Sequence, residues 1–99
     1  MTFEKNDQAL IIKCVKEITA ANAREFKQLV AQEFSSGMRD IELDASTLQF
    51  IDSSGLGALL SLHKMVVQAA GQFRLNRPSP ATMQILTLTR LDRVLQIIT

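Results

Sequence analysis

The chain is short of the residue types that most often build catalytic and metal centres. It has one cysteine, Cys14, and one histidine, His63, in 99 residues. A lone cysteine makes no internal disulfide; set in the apolar run Ala9-Leu10-Ile11-Ile12-Lys13-Cys14-Val15, it reads as a small buried hydrophobe and suits the cytoplasm. A lone histidine leaves a Ser-His pair or a His cluster to be built around His63, whose place among apolar residues at helical spacing reads as a packed or half-buried core residue. Asp40, Glu42, Asp44 and Asp52 lie close in sequence, but the strand pattern is taken to split them between faces, and no metal-ligand spacing emerges. Gly55-x-Gly57 lacks the full glycine fingerprint, and no Gly-Lys-Ser/Thr follows a glycine loop, so neither nucleotide, metal nor cofactor is expected. Excess charge is missing too: 11 basic and 10 acidic residues leave a net +1, giving no field to draw nucleic acid or an anionic membrane. No apolar run reaches the length of a signal or membrane segment, so no membrane insertion is expected.

What is present is a dense alternation of apolar segments, 46% of the chain, enough for one domain over residues 1–99. There is no repeat and no low-complexity tract. Thr2-Phe3-Glu4, a polar Lys5-Asn6-Asp7-Gln8 turn and the run from Ala9 predict an N-terminal hairpin. Asn22 with Glu25 reads as a helix cap; Phe26, Leu29, Val30 and Phe34 share a face up to a stop at Ser36-Gly37. Ile41 and Leu43 alternate with charges as a strand, Leu48, Phe50 and Ile51 lead into Ser53-Ser54-Gly55, and Phe73 with Leu75 makes another strand. Ser79-Pro80 starts a third helix running to about Thr89, and Leu91 to Ile98 closes with a strand or a helical turn. Strands alternating with helices predict an α/β fold with a mixed, mostly parallel sheet, the hairpin supplying antiparallel pairing.

The centre of the pattern is Phe50-Ile51-Asp52-Ser53-Ser54-Gly55-Leu56-Gly57-Ala58-Leu59-Leu60. Leu56, Leu59, Leu60, His63, Val66, Val67 and Ala70 predict one apolar helix face, which places a helix start, with a Ser at its cap, near Ser53 or Ser54. Free N–H groups and the helix dipole would favour a phosphoryl group there. The plainer reading is a strand-to-helix turn, with Ser as cap and Gly for packing. Gly57, Ser61, Lys64 and Gln68 form the outward strip, bordered by Ala58 and Met65, which reads as a solvated face or as a docking strip reaching Ser54.

These eleven residues resemble the phosphorylation motif of the anti-sigma factor antagonists of bacterial partner-switching systems, the STAS domain, and Asn76-Arg77-Pro78-Ser79-Pro80 with Leu91-Asp92-Arg93-Val94 resembles that family's second signature. The resemblance implies a STAS-type fold with its C-terminal helix absent or shortened. It implies a non-enzymatic cytoplasmic switch that binds an anti-sigma factor serine kinase, an ATPase of the histidine-kinase-like class, and so releases a sigma factor or regulator. Phosphorylation at Ser54, with Ser53 the alternate, would end that binding, and a metal-dependent phosphatase of the PP2C type would restore it. The implied partner-binding residues are Thr19, Asp52, Ser53, Gly55, Gly57, Ala58, Ser61, Lys64, Met65 and Gln68. Three departures stand out. Lys16-Glu17-Ile18-Thr19 ends in a hydroxyl where relatives have a carboxylate, Arg90 stands where they often have a helix-ending Gly, and relatives continue beyond Thr99 into a further helix. An accessory or scaffold STAS subunit, of a lipid-transport ABC complex or a stressosome, and an anion-binding domain are the competing readings.

Overall fold

The strand Asp40–Asp44, apolar on one face and acidic on the other, lies at the middle of the main sheet. The computed structural model describes residues 1–35 and 37–99; the expected helix stop at Ser36 lies outside them. Strands β1 (Thr2–Asn6) and β2 (Ala9–Lys13) form the antiparallel hairpin, turning through Asp7 at φ 57°. β2 then pairs in parallel with β4 (Asp40–Asp44), β4 with β6 (Phe73–Asn76), and β6 with β7 (Gln96–Ile98), giving the order β1-β2-β4-β6-β7. A separate parallel pair joins β3 (Glu17–Ile18) to β5 (Phe50–Ile51).

Among the described residues three α-helices join the strands: α1 (Ala23–Glu33), α2 (Ser53–Gln68) and α3 (Pro80–Leu88). Leu10, Ile12, Ile41, Leu43, Phe73 and Leu75 project from one sheet face into a single core with Phe26, Val30, Leu59, Leu62, Val66 and Leu86 of the helices. α3 starts as expected, with Ser79 accepting from the Thr82 N–H at 3.1 Å and Pro80 in the first turn. It stops because Arg90 takes a left-handed φ of 63°, after which Leu91–Arg93 form one 3-10 turn before β7.

Four expectations are corrected. Asp40, Glu42 and Asp44 share one face, since alternate strand residues point the same way. There they meet β6 and its flank: Arg74 pairs with Asp40 at 3.1 Å and Glu42 at 3.5 Å, and Arg77 with Asp44 at 2.9 Å. Cys14 is exposed, because β2 ends at Lys13 and the chain turns through Cys14 at φ 63°, leaving Val15 to enter the core. Asn22 does not cap α1 with its side chain; its Oδ1 accepts from the Thr19 N–H and its Nδ2 donates to the Glu17 carbonyl, both at 2.8 Å. Finally, α2 is rotated from the expected register. Gly55, Ala58, Leu59, Leu62 and Val66 are its buried side, while Val67 is 56% exposed and Ala70 lies outside the helix. His63 is half-buried, with its Nδ1 enclosed and lacking a hydrogen-bond partner among the described residues.

Candidate functional site

Asp52 ties the site together. Its backbone is extended, and its Oδ1 accepts from the Gly55 N–H at 3.0 Å, making it the N-cap of α2; Oδ2 accepts from the Ala20 N–H at 2.9 Å. The parallel pairing of Ile18 with Ile51 brings these segments together, although 32 residues separate Ala20 from Asp52. Those N–H groups, first from Ala20 and then from Gly55, hold the Asp52 carboxyl below the usual carboxylate range. The expected Ser cap is thereby corrected: a carboxylate accepts from two strands of chain at once, while a Ser hydroxyl would serve one. The start of α2 is not an empty anion cradle, since a negative group already occupies it.

Past this cap, Ser53 and Ser54 are exposed and Gly55 is buried. A methyl group on Gly55 would run into the carbonyl oxygen of Ile18, so glycine is required for α2 to sit against β3. At Gly57 the same methyl would meet nothing within 4 Å.

Helices α1 and α2 lie alongside each other, and an open groove of about 490 Å³ runs between their outer edges. Ser54, Gly57, Ala58 and Ser61 line one bank, at the i, i+3, i+4, i+7 spacing of one helix face. Ala20, Ala23, Arg24 and Lys27 line the other at the same spacing. A shallower continuation of about 260 Å³ passes Lys27, Gln28, Ala31, Ser61 and Met65.

A family model described as the STAS domain matches residues 1–99. The chain belongs to the STAS-domain family. This STAS domain is 35% identical over 92 residues to a Thermotoga maritima protein assigned as an anti-sigma factor antagonist, a match covering 92% of this chain and 81% of the relative. It is 27% identical over 89 residues to BtrV of Bordetella bronchiseptica, assigned likewise, with 90% and 77% covered. Among solved structures, a Thermotoga maritima protein with the same assignment superposes with a TM-score of 0.92 at 32% identity, over 99% of this chain and 85% of the other. Unphosphorylated SpoIIAA superposes at 0.84 and 21% identity, over 99% and 87%, a likeness of fold.

Of the residues expected at the site, the STAS fold brings Asp52, Ser53, Ser54, Gly55, Gly57, Ala58 and Ser61 together along the first turns of α2. Ala58 lines the groove but is 3% exposed, so it offers little of its own surface. Met65 is half-buried, at the far end of the groove, and Lys64 and Gln68 are exposed but line neither stretch of it. Thr19 is adjacent through Ala20, yet its hydroxyl is engaged at home, donating to Glu17 Oε2 at 2.8 Å and accepting from the Ala21 N–H at 3.3 Å. Arg24 and Lys27 were not legible as site residues from local pattern, although their matching spacing on α1 is a signal in hindsight. Phe50, the first residue of the eleven-residue motif, is 62% exposed and stands two residues before the cap.

Among the described residues no cluster of three or more His, Cys, Asp or Glu is placed to hold a metal, and no helix is long and apolar enough to cross a membrane.

Proposed function

We propose that this STAS domain is an anti-sigma factor antagonist whose binding to an anti-sigma serine kinase is switched by phosphorylation of Ser54. The observation that carries this reading is the spare glycine beside an exposed serine. Glycine inside a helix costs roughly 0.5–1 kcal/mol relative to alanine, and at Gly57 no contact among the described residues requires it. A bare helix surface kept at that cost, one turn from Ser54, fits a partner backbone that must come close. The names of the relatives supply the partner class, an anti-sigma factor.

Ser54 is preferred to Ser53 as acceptor because Ser54 lines the groove and Ser53 does not. In the transfer, Ser54 Oγ would attack the terminal phosphorus of ATP held by the partner, ADP would leave, and the hydroxyl proton would pass to a base of the kinase. A PP2C-type phosphatase would reverse the state. The chain itself is substrate and ligand, with no catalytic role, and acts in the cytoplasm.

The test is incubation with the cognate kinase and ATP followed by mass-spectrometric mapping, with calorimetric titration of the partner. Modification at Ser54, weakened binding by phosphorylated protein and by Ser54→Asp, and retained binding by Ser54→Ala are expected. Modification at Ser53 alone moves the acceptor by one residue; modification solely at Ser46, Thr47 or Ser79, or equal affinities for all four forms, overturns the reading.

A further inference from the structure

We propose that Arg24 and Lys27 hold the phosphoryl group of Ser54 in cis, so that phosphorylation fills the α1–α2 groove from within the same chain. This rests on the reading of Ser54 as the acceptor. Three observations carry it. Arg24 and Lys27 line the bank of the groove opposite Ser54, and the residues beside Ser54 on its own bank, Gly57 and Ser61, are small. Neither cation belongs to an ion pair among the described residues, in contrast to Lys13, Arg74 and Arg77. The helix start is already partly taken: the Gly55 N–H is given to the Asp52 carboxylate, which also accepts from Ala20, and the Leu56 N–H is given to the Asp52 carbonyl, so the positive charge available to a phosphate comes mainly from across the groove.

A phosphoserine brings a charge of about −2 and three acceptor oxygens. Asp52 repels it from behind, and the two cations attract it from across the groove. Arginine offers a planar fork for two of the oxygens and lysine a point charge for the third. Once paired, Arg24 and Lys27 no longer present positive charge to an acidic group of a partner, and the groove itself is occupied. Phosphorylation then competes with the partner from inside the chain.

The second ionisation of the phosphate reports the pairing, since opposite charges nearby favour the dianion. Of the residues lining the groove only Arg24 and Lys27, both from α1, ionise; Asp52, outside the lining, stands two residues before Ser54 at the head of α2. The chain is prepared with phosphoserine built in at position 54, without any kinase, and titrated by phosphorus NMR beside Arg24→Gln/Lys27→Gln and the charge-keeping Arg24→Lys/Lys27→Arg. We expect the second pKa to be about half a unit or more lower in the parent than in the Gln pair, with the charge-keeping pair near the parent and the gap narrowing in 1 M salt. Circular dichroism checks that each variant folds. Equal pKa values in the parent and the Gln pair, or a Lys/Arg pair that behaves like the Gln pair, would overturn the cis clamp. Because no kinase is used, that outcome is separate from a failure of the kinase to modify Ser54.

Discussion

Gly55 lies with its bare Cα against the carbonyl oxygen of Ile18, and this contact sets how closely α2 approaches the β3–β5 pair. Two residues on, Gly57 faces open space. The two glycines of one short motif therefore do different work, one for the fold and one for the surface.

Gly55→Ala forces α2 away from Ile18 and is expected to cost roughly 1–3 kcal/mol, as overpacking does. Gly57→Ala is expected to raise stability by about 0.5–1 kcal/mol, through helix propensity alone. Urea denaturation of both variants, with calorimetric titration of the anti-sigma partner for the second, checks this. The expected signature is a Gly57→Ala protein that is more stable and binds less tightly; a more stable variant with full affinity would remove the argument from the spare glycine.

Acid should unfold this domain through specific carboxylates. The Ala20 and Gly55 N–H groups lower the Asp52 pKa. Burial pushes Asp40 and Asp44 upward, but hydrogen bonds from Gln72 and Arg74 at Asp40, and from Ser46 and Arg77 at Asp44, outweigh it and leave both below the usual range. A lowered native pKa means the stabilisation is complete above the ordinary value of about 3.9 and is lost as pH falls through the native one. Stability should therefore be flat on this account from neutral pH to about 5 and fall below about 4. Asp52→Asn should make that fall shallower while lowering stability at neutral pH; thermal melts across pH 2–7 on the pair would show it, and parallel curves would exclude Asp52 as a contributor.

Arg90 ends α3 from the left-handed region, at φ 63°, a conformation unfavourable for a residue with a Cβ. Arg90→Gly should be more stable than Arg90→Ala by about 1 kcal/mol, because both lose the guanidinium and only one keeps the Cβ. Matched denaturant midpoints for the two would mean that the turn relaxes at no cost.

Local chemistry was enough to determine most elements of this chain, though not the two-residue β3, which exists only through its pairing with β5. The polar turn before the apolar run from Ala9 made the hairpin, Ser79-Pro80 made the start of α3, and the helical spacing from Leu56 placed the start of α2 near Ser53 or Ser54, because each signal acts within a few residues. Which side of α2 is buried was settled only by packing: Leu56, Leu59, Leu60, Leu62, Val66 and Val67 spread around much of the helix, and only the sheet beneath decides among them. The α2 cap was decided at long range as well, since the Ala20 N–H that helps select Asp52 over a serine arrives from 32 residues away. So was the pairing of the β4 carboxylates with Arg74 and Arg77, which depends on strand neighbours that no local pattern contains. The basic bank of the groove came from tertiary structure for the same reason: Arg24 and Lys27 are ordinary surface charges on α1 until the fold lays that helix beside Ser54.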